Sequence, residues 1–281
     1  LSPEGNSLIY STYIGGSSLE GNTTSAKSLF IAVDAAGCAY ITGRTDSIDF
    51  PTHNPFMTDP GDGYADAFVT KLSQGGDSLV YSTYLGGSTA VGGFVPQDMA
   101  YGIDVDGSGC AYVMGYTLSS NFPTVTPYQT DQYGIDVFIT KLSASGDSLV
   151  YSTYLGGSDH DFGYGGIVVD DSGCAYIAGY TSSTDFPTQN PYQTEPGDGT
   201  YDVFVTKLSQ TGNSLVYSTY IGGSGGDTAS TLDIDIEGCA YVAGSTSSSN
   251  YPVQNPFQIF QGNTDVIVTK QIGRASCRER V

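Results

Sequence analysis

The chain of 281 residues contains no tryptophan, only two histidines, and nine lysines and arginines against 29 acids. Its formal net charge of −20 repels phosphate backbones, so nucleic acid is not an expected partner, and an anionic membrane surface is disfavoured for the same reason. No apolar run reaches the roughly 18 residues that a membrane-spanning helix needs, so membrane insertion is not expected either. There is no CxxC pair and no pair of histidines at a zinc spacing. Charged residues make up 14%, well below the usual ~25%, while the 38 glycines are about twice the usual share. With 22 tyrosines, that balance points to short strands joined by tight turns.

What is present is repetition. "YSTYLGGS" stands at 81–88 and 151–158, and with Ile for Leu at 10–17 and 217–224. "GCAY" recurs at 37–40, 109–112, 173–176 and 238–241. "FPT" recurs at 50–52, 122–124 and 186–188, with a looser copy at 251–253. "DAFVTK" (66–71), "DVFITK" (136–141), "DVFVTK" (202–207) and "DVIVTK" (265–270) keep the same beat. Four landmarks in constant order, about 66–71 residues apart, describe one supersecondary unit repeated in tandem over residues 1–270. Residues 271–281 abandon the pattern and read like cloning-vector sequence.

Within a unit, four short stretches rich in β-branched and aromatic residues read as strands, here a, b, c and d. In the first full unit they are expected near 28–34, 38–43, 66–72 and 77–85. The a–b links "DAAG", "DGSG", "DDSG" and "DIEG" place Asp first and Gly fourth, as a type I turn followed by a left-handed residue requires. The c–d links "SQGG", "SASG" and "SQTG" do the same with Ser. Each unit is therefore a four-stranded antiparallel meander with both tight hairpins at one end and both long loops, d–a and b–c, at the other. Such sheets repeated in tandem, apolar on both faces, are the blades of an all-β propeller.

"IAVDAAGCAYITG", "DFPTHNPF", "DAFVTKLS" and "SLVYSTYLGGS" closely resemble the SBBP repeat, a β-propeller repeat of bacterial secreted and cell-surface proteins. The resemblance implies the propeller fold and an extracellular or cell-surface location; it implies no particular activity. The Cys of "GCAY" departs from the Asn more usual there. Strand d at Ser7–Ile14 can complete the last blade, which ends after strand c. Against closure of a four-bladed ring stands "LSPEG" at 1–5, a c–d turn without its strand c, which reads as a cut through a longer array.

The repeated side chains are expected to serve the scaffold. Asp34, Asp106, Asp170 and Asp235 read as turn residues; calcium is the alternative, suggested by Asp104-x-Asp106-x-Ser108, but the closing Glu of a calcium loop is missing. Cys38, Cys110, Cys174 and Cys239 are expected to be free, buried small hydrophobes. Lys71, Lys141, Lys207 and Lys270 share a strand with Asp66, Asp136, Asp202 and Asp265, and an ion pair or a hydrogen bond to a neighbouring blade is expected. Binding is expected where the repeat breaks: Phe94 and Val95 in "FVPQDM", and Asp159, His160 and Asp161 in "SDHDFGY". A Ser-His-Asp triad through His160 is conceivable, as is a metal knot, but a solvated loop is the expected reading. Replacing 89–97 or 159–164 by Gly-Ser should then spare the fold. The functional expectation is a non-catalytic scaffold or interaction module that takes a protein or glycan at the long-loop face. The alternatives are a lectin-like propeller and, less favoured, a polysaccharide-active enzyme.

Overall fold

In a computed structural model, residues 5–20, 29–60, 64–90, 93, 95–130 and 133–271 are described. Phe94 and all but the first residue of the 271–281 tail lie outside them. Among the described residues every regular element is a strand. The first unit is β1 (Leu29–Val33), β2 (Ala39–Thr45), β3 (Asp66–Leu72) and β4 (Leu79–Leu85). The second is β5 (Asp98–Val105), β6 (Ala111–Thr117), β7 (Asp136–Leu142) and β8 (Leu149–Leu155). The third splits its first strand into β9 (Asp161–Phe162) and β10 (Ile167–Val169), followed by β11 (Ala175–Thr181), β12 (Asp202–Leu208) and β13 (Leu215–Ile221). The fourth is β14 (Asp227–Ile234), β15 (Ala240–Thr246) and β16 (Asp265–Gln271). Strands pair antiparallel with their neighbours in chain order, so each unit is the expected meander.

Local chemistry accounts for the turns. Asp34 Oδ1 accepts from the amides of Ala36 and Cys38, and Gly37 takes the left-handed φ of 82° that closes the hairpin. Asp106, Asp170 and Asp235 repeat this. Between units the sheets stack face to face: three large apolar clusters lie between the first and second, second and third, and third and fourth. The first strands of all four converge on one cavity of about 170 Å³, lined by Phe30, Tyr101, Tyr164, Ile167 and Leu232 among others.

The b–c segments depart from the expected free loops. Phe50, Phe122 and Phe186 of "FPT" are buried and lie against Phe68, Phe138 and Phe204 of strand c, with ring centroids 4.5–4.6 Å apart. The chain then runs along the outer strand, bridging His53 to Ser82, Val125 to Ser152 and Gln189 to Ser218. The edge that an open meander leaves bare is thereby covered.

The two tyrosines of "YSTY" divide their work. Tyr84 OH donates to the Ser47 carbonyl at 2.7 Å and accepts from the Phe50 amide at 2.9 Å, pinning the b–c segment. Tyr154 and Tyr220 make the equivalent bonds to Ser119 and Ser183. Tyr81, Tyr151 and Tyr217 are buried with no hydrogen bond to their hydroxyls. Tyr84→Phe is therefore expected to lower stability by about 1–3 kcal/mol, whereas Tyr81→Phe is neutral or stabilising. Urea midpoints of the two variants measure the difference, and equal losses would refute the division.

Two expectations about the chain's ends change. Residues 5–20 form no strand and make a single bridge, Glu20 to Thr45, so Ser7–Ile14 is not paired with β16, and the fourth sheet has three strands. Tyr10 instead sits over Gly76, as Tyr81 sits over Gly146 and Tyr151 over Gly212. The segment thus occupies the place of a preceding unit's last strand. Without its own strand c beside it, Tyr13 is fully exposed, whereas its counterparts Tyr84, Tyr154 and Tyr220 are buried. Along β16, Val266 and Val268 are exposed for the same want of a neighbour.

The second change concerns the thiols. Cys38, Cys110 and Cys174 are free but only half-buried, while Cys239 is buried and disulfide-bonded to a partner outside the described residues. Titration of the denatured, unreduced protein should accordingly count Cys239 out.

Candidate binding surface

At the hairpin end, each lysine pairs with the turn aspartate of its own unit rather than with a neighbouring blade as expected. Lys71–Asp34, Lys141–Asp106, Lys207–Asp170 and Lys270–Asp235 lie 2.9–3.3 Å apart. Each ammonium also sits over a tyrosine ring, 4.5–4.8 Å from its centroid. That tyrosine's hydroxyl reaches the next unit: Tyr40 lies 3.1 Å from the Gly109 carbonyl, Tyr112 3.3 Å from Gly173 and Tyr176 3.2 Å from Gly238. Burial would raise the Asp106 and Asp170 carboxyls, but the lysines and turn amides hold both below the usual range. Both oxygens of Asp106 are engaged, by Ser108, Cys110, Tyr112 and Lys141. Asp235, Glu237 and Cys239 also cluster, but Asp235 is engaged in the same way and the Cys239 sulfur is bonded. The oxygens of the four turn aspartates are thus all engaged within their own units, unlike the open donors of a calcium loop.

At the long-loop end, adjacent units are locked by one recurring set of contacts. The amides of Ser17, Ser88, Ser158 and Ser224 donate, each at 2.8 Å, to Asp49, Asn121, Asp185 and Asn250 of the following unit. The preceding glycine amide donates at 2.7–2.8 Å to the carboxylate that opens the next first strand: Gly87 to Asp98, Gly157 to Asp161, Gly223 to Asp227. Glu20 takes that place for Gly16. Ser47, Ser119, Ser183 and Ser248 donate to the same four carboxylates.

Across each glycine lies a second buried acid. A Cβ at Gly86 would stand 1.8 Å from Asp66 and 2.9 Å from Asp98; at Gly156, 2.3 Å from Asp136 and 2.8 Å from Asp161. Gly222 is covered by Asp202 at 1.5 Å, and Asp227 lies close enough to raise the Asp202 carboxyl. All six aspartates are buried. Burial pushes Asp98 up to about 6, Asp161 to about 7 and Asp202 to about 6, the last helped by the charge of Asp227. These pairs were not legible as sites: each joins positions from two units, with a glycine between them.

The variable residues fare differently from one another. Val95, Asp159 and His160 are exposed or partly exposed at this end, with His160 Nδ1 3.9 Å from Asp159 Oδ1. Asp161 is not part of that surface: it is fully buried in the seam. Phe162 and Tyr164 are likewise integral, packed among Tyr101, Tyr116 and Tyr180. Replacing 159–164 would therefore damage the fold, contrary to expectation. Ser182 Oγ accepts from the His160 amide and donates to its carbonyl, so this serine is tied to the backbone of His160. Gly222–Gly226 spells the letters of a nucleophile elbow, yet a strand follows it and Ser224 Oγ is tied to Asn250.

Sequence reasoning missed the tyrosines just before strand c. Tyr64 and Tyr133 are 49% and 57% exposed at the long-loop end. Tyr133 precedes Gly134, whose φ of 75° is left-handed and where an added Cβ would stand 3.0 Å from the Asp159 carbonyl oxygen and from His160 Nδ1. Tyr133, Asp159 and His160 thus form one patch across the second seam. Beside it an open groove of about 350 Å³ is lined by Tyr128, Gln129, Thr130, Gly156 and Pro187.

Residues 80–123, 150–187 and 216–252 match the family described as SBBP, beta-propeller repeat. These three segments are similar to that β-propeller repeat. Each matched segment runs from strand d through the seam to the buried "FPT" aromatic or its Tyr251 counterpart, so the family's signature covers the contacts that lock one unit to the next. No curated protein matches the chain.

Proposed function

We propose that this chain is a non-catalytic module of a secreted or cell-surface protein that docks a protein or glycan partner at its long-loop end. The observation that carries the reading is the patch of Tyr133, Asp159 and His160. There, the exposed Tyr133 and the Asp159 and His160 side chains, which the other units do not repeat, are held on a seam locked by buried hydrogen bonds. A rigid aromatic beside polar groups is the composition of a binding hot spot, and loops on a rigid scaffold are where recognition concentrates.

Tyr133→Ala and His160→Ala are expected to weaken partner capture about tenfold each, or about 1.4 kcal/mol, with unchanged melting temperatures. Capture from conditioned medium of the native source, followed by titration of the purified partner, measures this. A glycan array distinguishes the lectin-like reading, and a polysaccharide hydrolysis screen the enzymatic one. If both variants bind as the parent does, the patch is not the docking surface.

A further inference from the structure

The three seam pairs, Asp66–Asp98, Asp136–Asp161 and Asp202–Asp227, set a problem of charge. Two ionised carboxylates withdrawn from water against one another cost several kcal/mol unless a positive charge joins them. The units' lysines are no help: each is engaged at the hairpin end of its own blade. What surrounds the pairs is oxygen. In the third seam, Asp227 is saturated by the Gly223 amide and the hydroxyls of Thr246 and Ser248. Asp202 Oδ2 accepts from the Gly197 amide at 3.1 Å. Its Oδ1, in a residue only 2% exposed, has no hydrogen-bond partner and lies over Gly222 in the space a side chain would fill. Gln193 Oε1, 3.1 Å from the Gly222 amide, faces the same glycine. In the second seam Gln129 Oε1 likewise lies 3.1 Å from the Gly156 amide, and there Gly156 also lines the open groove, which supplies a route from solvent.

We propose that each seam pair binds one divalent cation of the calcium type. Two carboxylates with amide and hydroxyl oxygens, and no nitrogen or sulfur donor, suit a hard cation rather than zinc. The cation would neutralise both acids and tie strand c of one unit to the first strand of the next, so binding and blade stacking are coupled.

The test uses the full chain, stripped with EDTA and dialysed into 150 mM NaCl at pH 8. Calcium uptake is followed by titration calorimetry, and the melting temperature is read with and without calcium. The expected result is about three equivalents bound, at dissociation constants of about 10⁻⁴–10⁻³ M, with a rise in melting temperature. Asp202→Asn should lose one equivalent and keep the other two, while Asp171→Asn, on an exposed turn at the far end, should lose none. No uptake at 5 mM calcium overturns the proposal and leaves a shared proton as the countercharge. Uptake that Asp202→Asn and Asp66→Asn both leave intact overturns it equally, as diffuse binding to an acidic surface.

Discussion

Gly146→Ala is expected to destabilise the chain by about 2–5 kcal/mol, a large part of the stability of an ordinary domain. Gly146 closes the c–d turn of the second unit at a φ of 74°, and an added Cβ would stand 2.1–2.5 Å from ring carbons of Tyr81 in the first. The left-handed backbone costs an alanine about 1–2 kcal/mol. The collision adds about 1–3 kcal/mol, because the ring is fully buried and cannot turn aside. Two controls separate these contributions. Gly166 has a φ of 85° with open space where its Cβ would be, so Gly166→Ala should show the backbone cost alone. Gly107 has neither constraint, and Gly107→Ala should stay within about 0.5 kcal/mol of the parent. Urea unfolding of the three variants orders them. Equal losses at 146 and 166 would mean that the Tyr–Gly contact between blades contributes nothing.

Raising the pH from 5 to 8 in chelated buffer is expected to weaken the fold. Asp98 and Asp161 hold their protons to about 6 and about 7 in the folded chain, against about 3.9 when unfolded. Because the folded state binds the proton more tightly, their contribution is complete below about pH 4 and is lost as pH rises through 6 and 7. The slope is about 1.4 kcal/mol per pH unit for each group over its own interval. Asp66 faces Asp98; Asp136 and Asp185 face Asp161. The hydrogen bond to Asp66 lowers Asp98 but is outweighed by burial, and the charge of Asp185 raises Asp161 further. The turn aspartates Asp34, Asp106 and Asp170 titrate lower than usual and weaken the fold only in stronger acid. The stability maximum should therefore fall near pH 4–5. Urea midpoints at pH 5 and pH 8 decide it, with Asp161→Asn flattening part of the decline. A midpoint that climbs with pH would show that these acids are ionised throughout.

Much of this architecture could be read from the letters, and the reason is local. Asp34 and Gly37 are three residues apart, and their turn chemistry is complete within the segment that contains them. The strand alternation and the period are likewise short-range or self-repeating signals. What escaped joins distant positions. Lys71 was expected to reach a neighbouring blade, and its five-residue separation from Asp66 on one strand puts those two on opposite faces. Its partner Asp34 comes alongside only when β1, β2 and β3 pair. The aspartate pairs span 25 to 32 positions and two units, and Asp161 was grouped with the exposed Asp159 and His160 although it turns inward. The loops were judged free because they vary in length, yet their phenylalanines are as buried as any strand residue.

The seam fittings have an evolutionary consequence. Each unit offers the same Gly-Gly-Ser, carboxylate and tyrosine couplings at its trailing side, and receives the same set at its leading side. A gene duplication or deletion that adds or drops one whole unit therefore creates no unfamiliar junction. Every new boundary is already a working one. Lineages can lengthen or shorten such a gene by unequal recombination without first inventing an interface, and can then diversify one exposed patch at a time while the couplings stay constant.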